Sequence, residues 1–188
     1  MLPPELGKAV PKRQAEYLAG RWCVKQLYHQ QALDLPLPAY REQGPPGWPD
    51  GWCGSISHSQ DRAAAVLAPT SQVRSLGLDL EFRIADDTAA RIRSSILHPQ
   101  EETQLQADWV DTLTLIFSFK ESLYKALNPL LNRFIGFQEV AVTHISDSTL
   151  SFTVHGDLHH DFPPDAPQTA RWTREADIFI TGYEIVNS

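Results

Sequence analysis

Cysteine is scarce in this chain of 188 residues: Cys23 and Cys53 are the two present, far apart and at no zinc-ligand or redox spacing. They read as small buried or half-buried thiols, which fits a reducing compartment and leaves the fold without staples. Long apolar runs are also missing, and the opening MLPPELGKAV lacks a charged segment followed by an apolar one. Neither an export signal nor a membrane span is expected, which points to the cytoplasm. A basic surplus is absent as well: 16 Lys and Arg stand against 23 Asp and Glu, for a net charge of −7. Broad nucleic-acid binding is disfavoured by that balance, because proteins that hold phosphate backbones carry a basic excess.

What remains is an ordinary globular composition, 42% hydrophobic and 21% charged, long enough for one sizeable core or two small ones. The charge is uneven. Between Glu5 and Lys25, five basic residues (Lys8, Lys12, Arg13, Arg21, Lys25) face two acidic ones (Glu5, Glu16), a local +3 that suits a solvated helix face or a small phosphate-binding patch.

Apolar residues recur at three and four through residues 11–30, behind Pro11 at a first turn, and predict a helix. Residues 33–54, rich in proline and glycine, predict a loop. Short strands are predicted at 54–58, 63–68 and 76–82, then helices near 87–97 and 113–131, then strands near 138–145, 149–154 and 177–185. Residues 156–173, with three prolines after Phe162 and the pair His159-His160, predict an exposed loop, and the two histidines lack a third ligand at a useful spacing. A helix followed by antiparallel strands, twice over, predicts an α+β chain of two similar halves, 1–75 and 76–188, working as one unit without a residue-level repeat.

Three segments could carry chemistry. In Gly77-Leu78-Asp79-Leu80-Glu81-Phe82 the strand period of two puts Asp79 and Glu81 on one face. That face is either plain solvated surface or a site for a divalent cation with hard oxygen ligands, Mg²⁺ ahead of Zn²⁺. In the apolar segment Phe117-Ser118-Phe119-Lys120-Glu121-Ser122-Leu123-Tyr124-Lys125, Glu121 and Lys125 have the spacing of an ordinary helix pair. Ionised groups in so apolar a helix also need a partner such as a metal or a phosphate. Gly54-Ser55-Ile56-Ser57-His58-Ser59 offers hydroxyls and an imidazole at a strand end, suited to a phosphate or to a structural role.

Taken in order, these segments resemble the 4'-phosphopantetheinyl transferases of the larger, single-chain type, especially the branch associated with enterobactin synthesis. The resemblance rests on Lys12-Arg13-Gln14-Ala15-Glu16-Tyr17-Leu18-Ala19-Gly20-Arg21, on Trp48-Pro49-Asp50-Gly51 leading into Gly54-Ser55-Ile56-Ser57-His58, on Gly77-Leu78-Asp79-Leu80-Glu81 and on Phe117 through Lys125. It implies two α+β halves related by a pseudo-twofold axis, each a helix on a small antiparallel sheet, with coenzyme A in the cleft between them. It further implies that Asp79, Glu81 and Glu121 hold Mg²⁺, that Glu121 is the base, and that Lys125 meets the phosphate under attack. Arg13, Arg21, Ser57 and His58 would bind coenzyme A, the basic residues and His58 at its 3'-phosphate end, and the loop around Gly44 and Trp48 would border the adenine. The partner implied is an apo acyl or peptidyl carrier protein, modified on serine by a monomeric enzyme. Members of this branch carry several tens of residues before the first signature, where eleven stand here, so a shortened or N-terminally truncated first half is expected. The loop before Trp48 reads Gly44-Pro45-Pro46-Gly47, where members often have a basic residue. The rival readings are a Mg²⁺-dependent nucleotide phosphohydrolase using the same carboxylates, and a shortened relative that binds coenzyme A or a carrier domain without catalysis.

Overall fold

The computed structural model describes residues 2–105 and 108–187. Pro11 opens helix α1 (Pro11–Gln30), where its missing N–H costs no helical bond. This helix buries only Gly20, Val24 and Tyr28, and its apolar Leu18 and Trp22 stay exposed. After the proline-rich loop come β1 (Trp52–Ser59), β2 (Arg62–Pro69) and β3 (Val73–Phe82). The chain continues through α2 (Asp86–Ile96) and α3 (Trp109–Leu131), then β4 (Val140–Ile145), β5 (Thr149–Val154), the short α4 (Leu158–Asp161), β6 (Thr169–Glu175) and β7 (Ile178–Val186).

The architecture is α+β, a helix against an antiparallel sheet in each half, but the sheets are unequal. One pairs β1 with β2, the other has five strands in the order β3-β7-β6-β5-β4. The division expected after residue 75 falls inside β3, which pairs along its length with β7. The core belongs to the larger sheet. Leu113, Ile116, Phe119, Leu123, Ala126 and Leu127 form the buried face of α3 and pack on Val142, Leu150, Phe152, Phe179 and Ile185. Among the described residues no helix is long and apolar enough to cross a membrane.

One expectation is corrected. Residues 156–173 do not form a simple exposed loop: α4 interrupts them and β6 begins at Thr169. Leu158, Phe162 and Ala166, spaced four apart, reach the core cluster, and that anchoring outweighs the prolines between them. His159 and His160 are exposed beside each other, and among the described residues no group of three His, Cys, Asp or Glu side chains is placed to hold a metal.

Two contacts fix α3. Lys120 is buried, its ammonium donating to Glu101 Oε2 at 2.7 Å and to the carbonyls of Ile96 and Phe137 at 2.9 Å each. Glu101 in turn accepts from the backbone N–H of His98 and Val142 at 2.7 Å. Burial opposes both charges, and the use of all three ammonium donors together with three bonds to the carboxylate compensates for it. The second contact is steric. A Cβ at Gly77 would overlap the carbonyl of Ser122, so α3 lies against the bare backbone of β3. Gly77→Ala is therefore expected to cost about 3 kcal/mol, the upper range for overpacking. Gly182→Ala, whose Cβ would meet nothing nearer than 3.9 Å, should stay close to wild type in denaturant unfolding. Equal midpoints for the two variants would refute the close approach.

Candidate active site

β3 is an edge strand of its sheet, so its backbone groups on the side away from β7 need partners from elsewhere. β1 supplies them through side chains. Serines at every second position face β3: Ser55 Oγ donates to the Leu78 carbonyl at 3.4 Å, Ser57 Oγ accepts from the Leu80 N–H at 3.1 Å, and Ser59 Oγ donates to Glu81 Oε1 at 2.8 Å. Ser57 also donates to Asp79 Oδ1 at 2.9 Å. The period of two that puts Asp79 and Glu81 on one face of β3 thus meets the same period in β1.

The sequence-predicted residues come together at this seam. Ser57, His58, Asp79, Glu81, Glu121 and Lys125 all line one cavity of about 340 Å³, together with Ile56 and Phe117. Helix α3 brings Glu121 and Lys125 there on one face, four residues apart. They do not pair with each other as an isolated helix would have them do. Lys125 Nζ crosses to Asp79 Oδ1 at 2.7 Å, and also donates to Ser57 Oγ at 3.0 Å and the Leu78 carbonyl at 3.1 Å. Glu121 makes no hydrogen bond or ion pair among the described residues and faces the cavity. Burial, with the Asp79 charge behind it, pushes the Glu121 carboxyl up, while Lys125 acts in the opposite direction. Burial also raises Glu81, against the hydrogen bond from Ser59, and Asp79 adds to the rise.

The phosphate-binding candidates divide. Arg13, Arg21 and His58 line an adjoining cavity of about 170 Å³ with Tyr17, Tyr40 and Arg41. Arg13 Nη1 lies 3.4 Å from His58 Nε2, and His58 Nδ1 lies 3.8 Å from Glu16. Burial holds the His58 imidazole below its ordinary pKa, with Glu16 opposing, so at neutral pH it is an uncharged hydrogen-bonding group and the positive charge comes from the arginines. Arg21 is partly engaged already: it donates to the carbonyls of Pro38 and Ala39 and stacks over Tyr17 at 4.5 Å. Ser57 is filled too, with its one donor and both acceptor positions used inside the protein. Arg41 is a member of this cavity that the sequence motifs do not include. It is a basic residue of the loop ahead of Trp48, placed a few positions before the Gly44-Pro45-Pro46-Gly47 run. Gly44 and Pro46 border this cavity, whereas Trp48 packs its ring on Gly54.

A divalent cation can be tested against these residues. Asp79 Oδ2 is buried with no hydrogen-bond partner among the described residues, and two more carboxylates, both destabilised as anions, share the cavity. The donors are hard oxygens, without cysteine and with His58 engaged elsewhere, and this suits Mg²⁺. They do not form a ready three-ligand group as they stand, since Lys125 is on Asp79 and Ser59 is on Glu81. The donor set fits the ion in kind.

The raised Glu121 makes a prediction about stability. Its folded-state pKa lies above the unfolded value of 4.5, so its contribution is complete below that value and is lost as pH rises through the folded pKa. Without divalent cations, Glu121→Gln should melt a few degrees above wild type at pH 7 to 8, and the gap should close below about pH 4.5. A variant no more stable than wild type at neutral pH would contradict the cost described, burial of the charge first and repulsion from Asp79 second.

Comparison with known proteins supplies the family. Residues 3–68 match the profile of the "4'-phosphopantetheinyl transferase N-terminal domain", and residues 75–176, more than half the chain, match that of the "4'-phosphopantetheinyl transferase superfamily". The chain is 29% identical to the 4'-phosphopantetheinyl transferase PptT of Mycobacterium tuberculosis, over 95% of this chain and 82% of that one. It is 31% identical to enterobactin synthase component D of Salmonella typhi, over 96% of this chain and 73% of that one. Among solved structures, holo-[acyl-carrier-protein] synthase from Neisseria meningitidis overlays on 62% of this chain and 99% of its own, with a TM-score of 0.47 at 16% identity. With both profiles laid end to end along it, the chain belongs to the 4'-phosphopantetheinyl transferase superfamily.

Proposed function

We propose that this protein transfers the 4'-phosphopantetheine group of coenzyme A to a serine of an acyl or peptidyl carrier protein, with Mg²⁺ held by Asp79, Glu81 and Glu121. The observation that carries this reading is the shared cavity. A cation-suited carboxylate set, with one glutamate that has no partner among the described residues, and a lysine open onto one space, next to a second space lined by arginines.

In the reaction, the serine oxygen attacks the β-phosphorus of coenzyme A. The bond from that phosphorus to the bridging oxygen breaks, and adenosine 3',5'-bisphosphate leaves with the bond's electron pair. The serine proton needs an acceptor. Glu121 is the best candidate, directly or through a water, because it faces the shared cavity and has no protein partner among the described residues. Lys125 neutralises charge that grows on the phosphate oxygens as the bond breaks. A bound Mg²⁺ supplies further neutralisation of the pyrophosphate. Arg13 and Arg41 provide the charge for the 3'-phosphate, His58 a neutral hydrogen bond, and Arg21 holds the 38–39 backbone in place around them. The third cavity at the seam, about 300 Å³ between Pro45, Pro46, Tyr124 and Asn128, adjoins Lys125 and gives the remainder of the ligand room.

With coenzyme A, Mg²⁺ and an apo carrier protein, the chain should add one phosphopantetheine mass to a carrier serine and release adenosine 3',5'-bisphosphate. Glu121→Gln should lower the rate by at least ~10²-fold, the lower end of what a general acid–base group contributes. Failure to modify any of a varied panel of apo carriers would sink the transferase reading. Release of products from coenzyme A without a carrier would favour the phosphohydrolase instead.

Coenzyme A should bind more tightly than its 3'-dephosphorylated form, with a difference that shrinks as salt rises because the contact is charge-assisted. Calorimetry on the two ligands measures this, and Arg13→Ala should narrow the gap. Equal affinities would remove Arg13 and His58 from the 3'-phosphate.

A further inference from the structure

Lys125 has a place in the structure that its role above does not explain. An ammonium has three donors, and all three are in use: on Asp79 Oδ1 at 2.7 Å, on Ser57 Oγ at 3.0 Å and on the Leu78 carbonyl at 3.1 Å. None is left for a phosphate. The same carboxylate that would hold a cation is neutralised by the lysine, and the Asp79 side chain is only 7% exposed.

We propose that Lys125 and a divalent cation compete for Asp79, so that Lys125 is the resident counter-ion of the cation-free protein and is released toward the phosphate when a cation takes its place. The proposal rests on the transferase reading for what Lys125 meets after release, but not for the exchange itself. Three observations support it. Asp79 cannot lie buried without a positive partner, and Lys125 is the sole cation within ion-pair distance of it among the described residues. Lys125 lines both the 340 Å³ and the 300 Å³ cavities, so it stands where they meet and a rotation of its flexible stem moves the ammonium into open space. The lysine leaves work for a cation to do: Asp79 Oδ2 is buried with no hydrogen-bond partner among the described residues, and Glu81 and Glu121 line the same cavity.

Thermodynamic linkage requires the competition to be reciprocal: whatever removes Lys125 from Asp79 strengthens the cation, and the cation loosens Lys125. Mn²⁺ binding without coenzyme A, followed by the paramagnetic signal of the free ion, tests the first half. Lys125→Ala should bind Mn²⁺ at least tenfold more tightly than wild type, and Lys125→Gln, which keeps a polar but uncharged side chain there if alanine fails to fold, should do the same. Lys25→Ala, an exposed residue of α1, changes the net charge equally and should leave the affinity as it was. The second half is read from the ammonium resonance of Lys125 in ¹H–¹⁵N spectra, assigned by its absence from Lys125→Ala, which should shift as Mg²⁺ is added. Equal or weaker Mn²⁺ binding by the Lys125 variants, no Mn²⁺ binding by any form, or a Lys125 resonance unmoved at saturating Mg²⁺ would each overturn the proposal. Carrier modification by a protein whose Lys125 resonance does not move would overturn the exchange and leave the transferase reading in place.

Discussion

The hydroxyls of Ser55, Ser57 and Ser59 join β1 to β3 where a backbone ladder does not, and the site depends on that seam. Without the serines Leu80 N–H would be unsatisfied, at roughly 1–3 kcal/mol for such a group, and Leu78 O would keep only its bond from Lys125. Side chains solve the problem without a ladder, and Lys125 and the cavity onto which Asp79 and Glu81 open lie at the same seam. The serines therefore do two things: they satisfy the strand, and they aim its carboxylates by bonding to them.

The halves on either side of the seam differ in substance. The five-stranded side carries the core cluster and holds α3 by the buried Lys120–Glu101 pair and by direct contact at Gly77, so Asp79, Glu81, Glu121 and Lys125 stand on a rigid frame. The two-stranded side is thin. Its helix buries three residues and touches β1 where Gly20 meets Ile56. Arg13, Arg21, Arg41 and His58 belong to this lighter half. Elements with few buried apolar contacts open more readily than a core does. The arrangement gives the reacting groups fixed positions and gives the phosphate-binding groups more freedom to adjust to a ligand.

Much of this is legible in local sequence patterns. The period of two in β1 and β3, and the apolar recurrence in α1 and α3, identify the elements and place Asp79 with Glu81 and Glu121 with Lys125. What such patterns do not show is the choice between partners. Spacing pairs Glu121 with Lys125, but in the fold a buried Asp79 attracts the lysine more strongly than a half-buried glutamate one turn away. Lys120 lies in the same charged cluster of the motif and is structural, because it meets Glu101, which sits in a segment with no periodicity to mark it. The prolines after Phe162 conceal β6, whose inward residues Ala170 and Trp172 are too few to show as an alternation. Arg41 carries no signal of its own in a loop whose pattern is set by glycine and proline.

The claim that side-chain hydroxyls hold the seam is tested most directly by amide hydrogen exchange at Leu80, in wild type and in Ser57→Ala. The account predicts a slowly exchanging Leu80 amide in wild type, a large acceleration in the variant, and little change at the β3 amides that face β7. A Leu80 amide that exchanges freely in wild type, or one equally protected in both proteins, would contradict it.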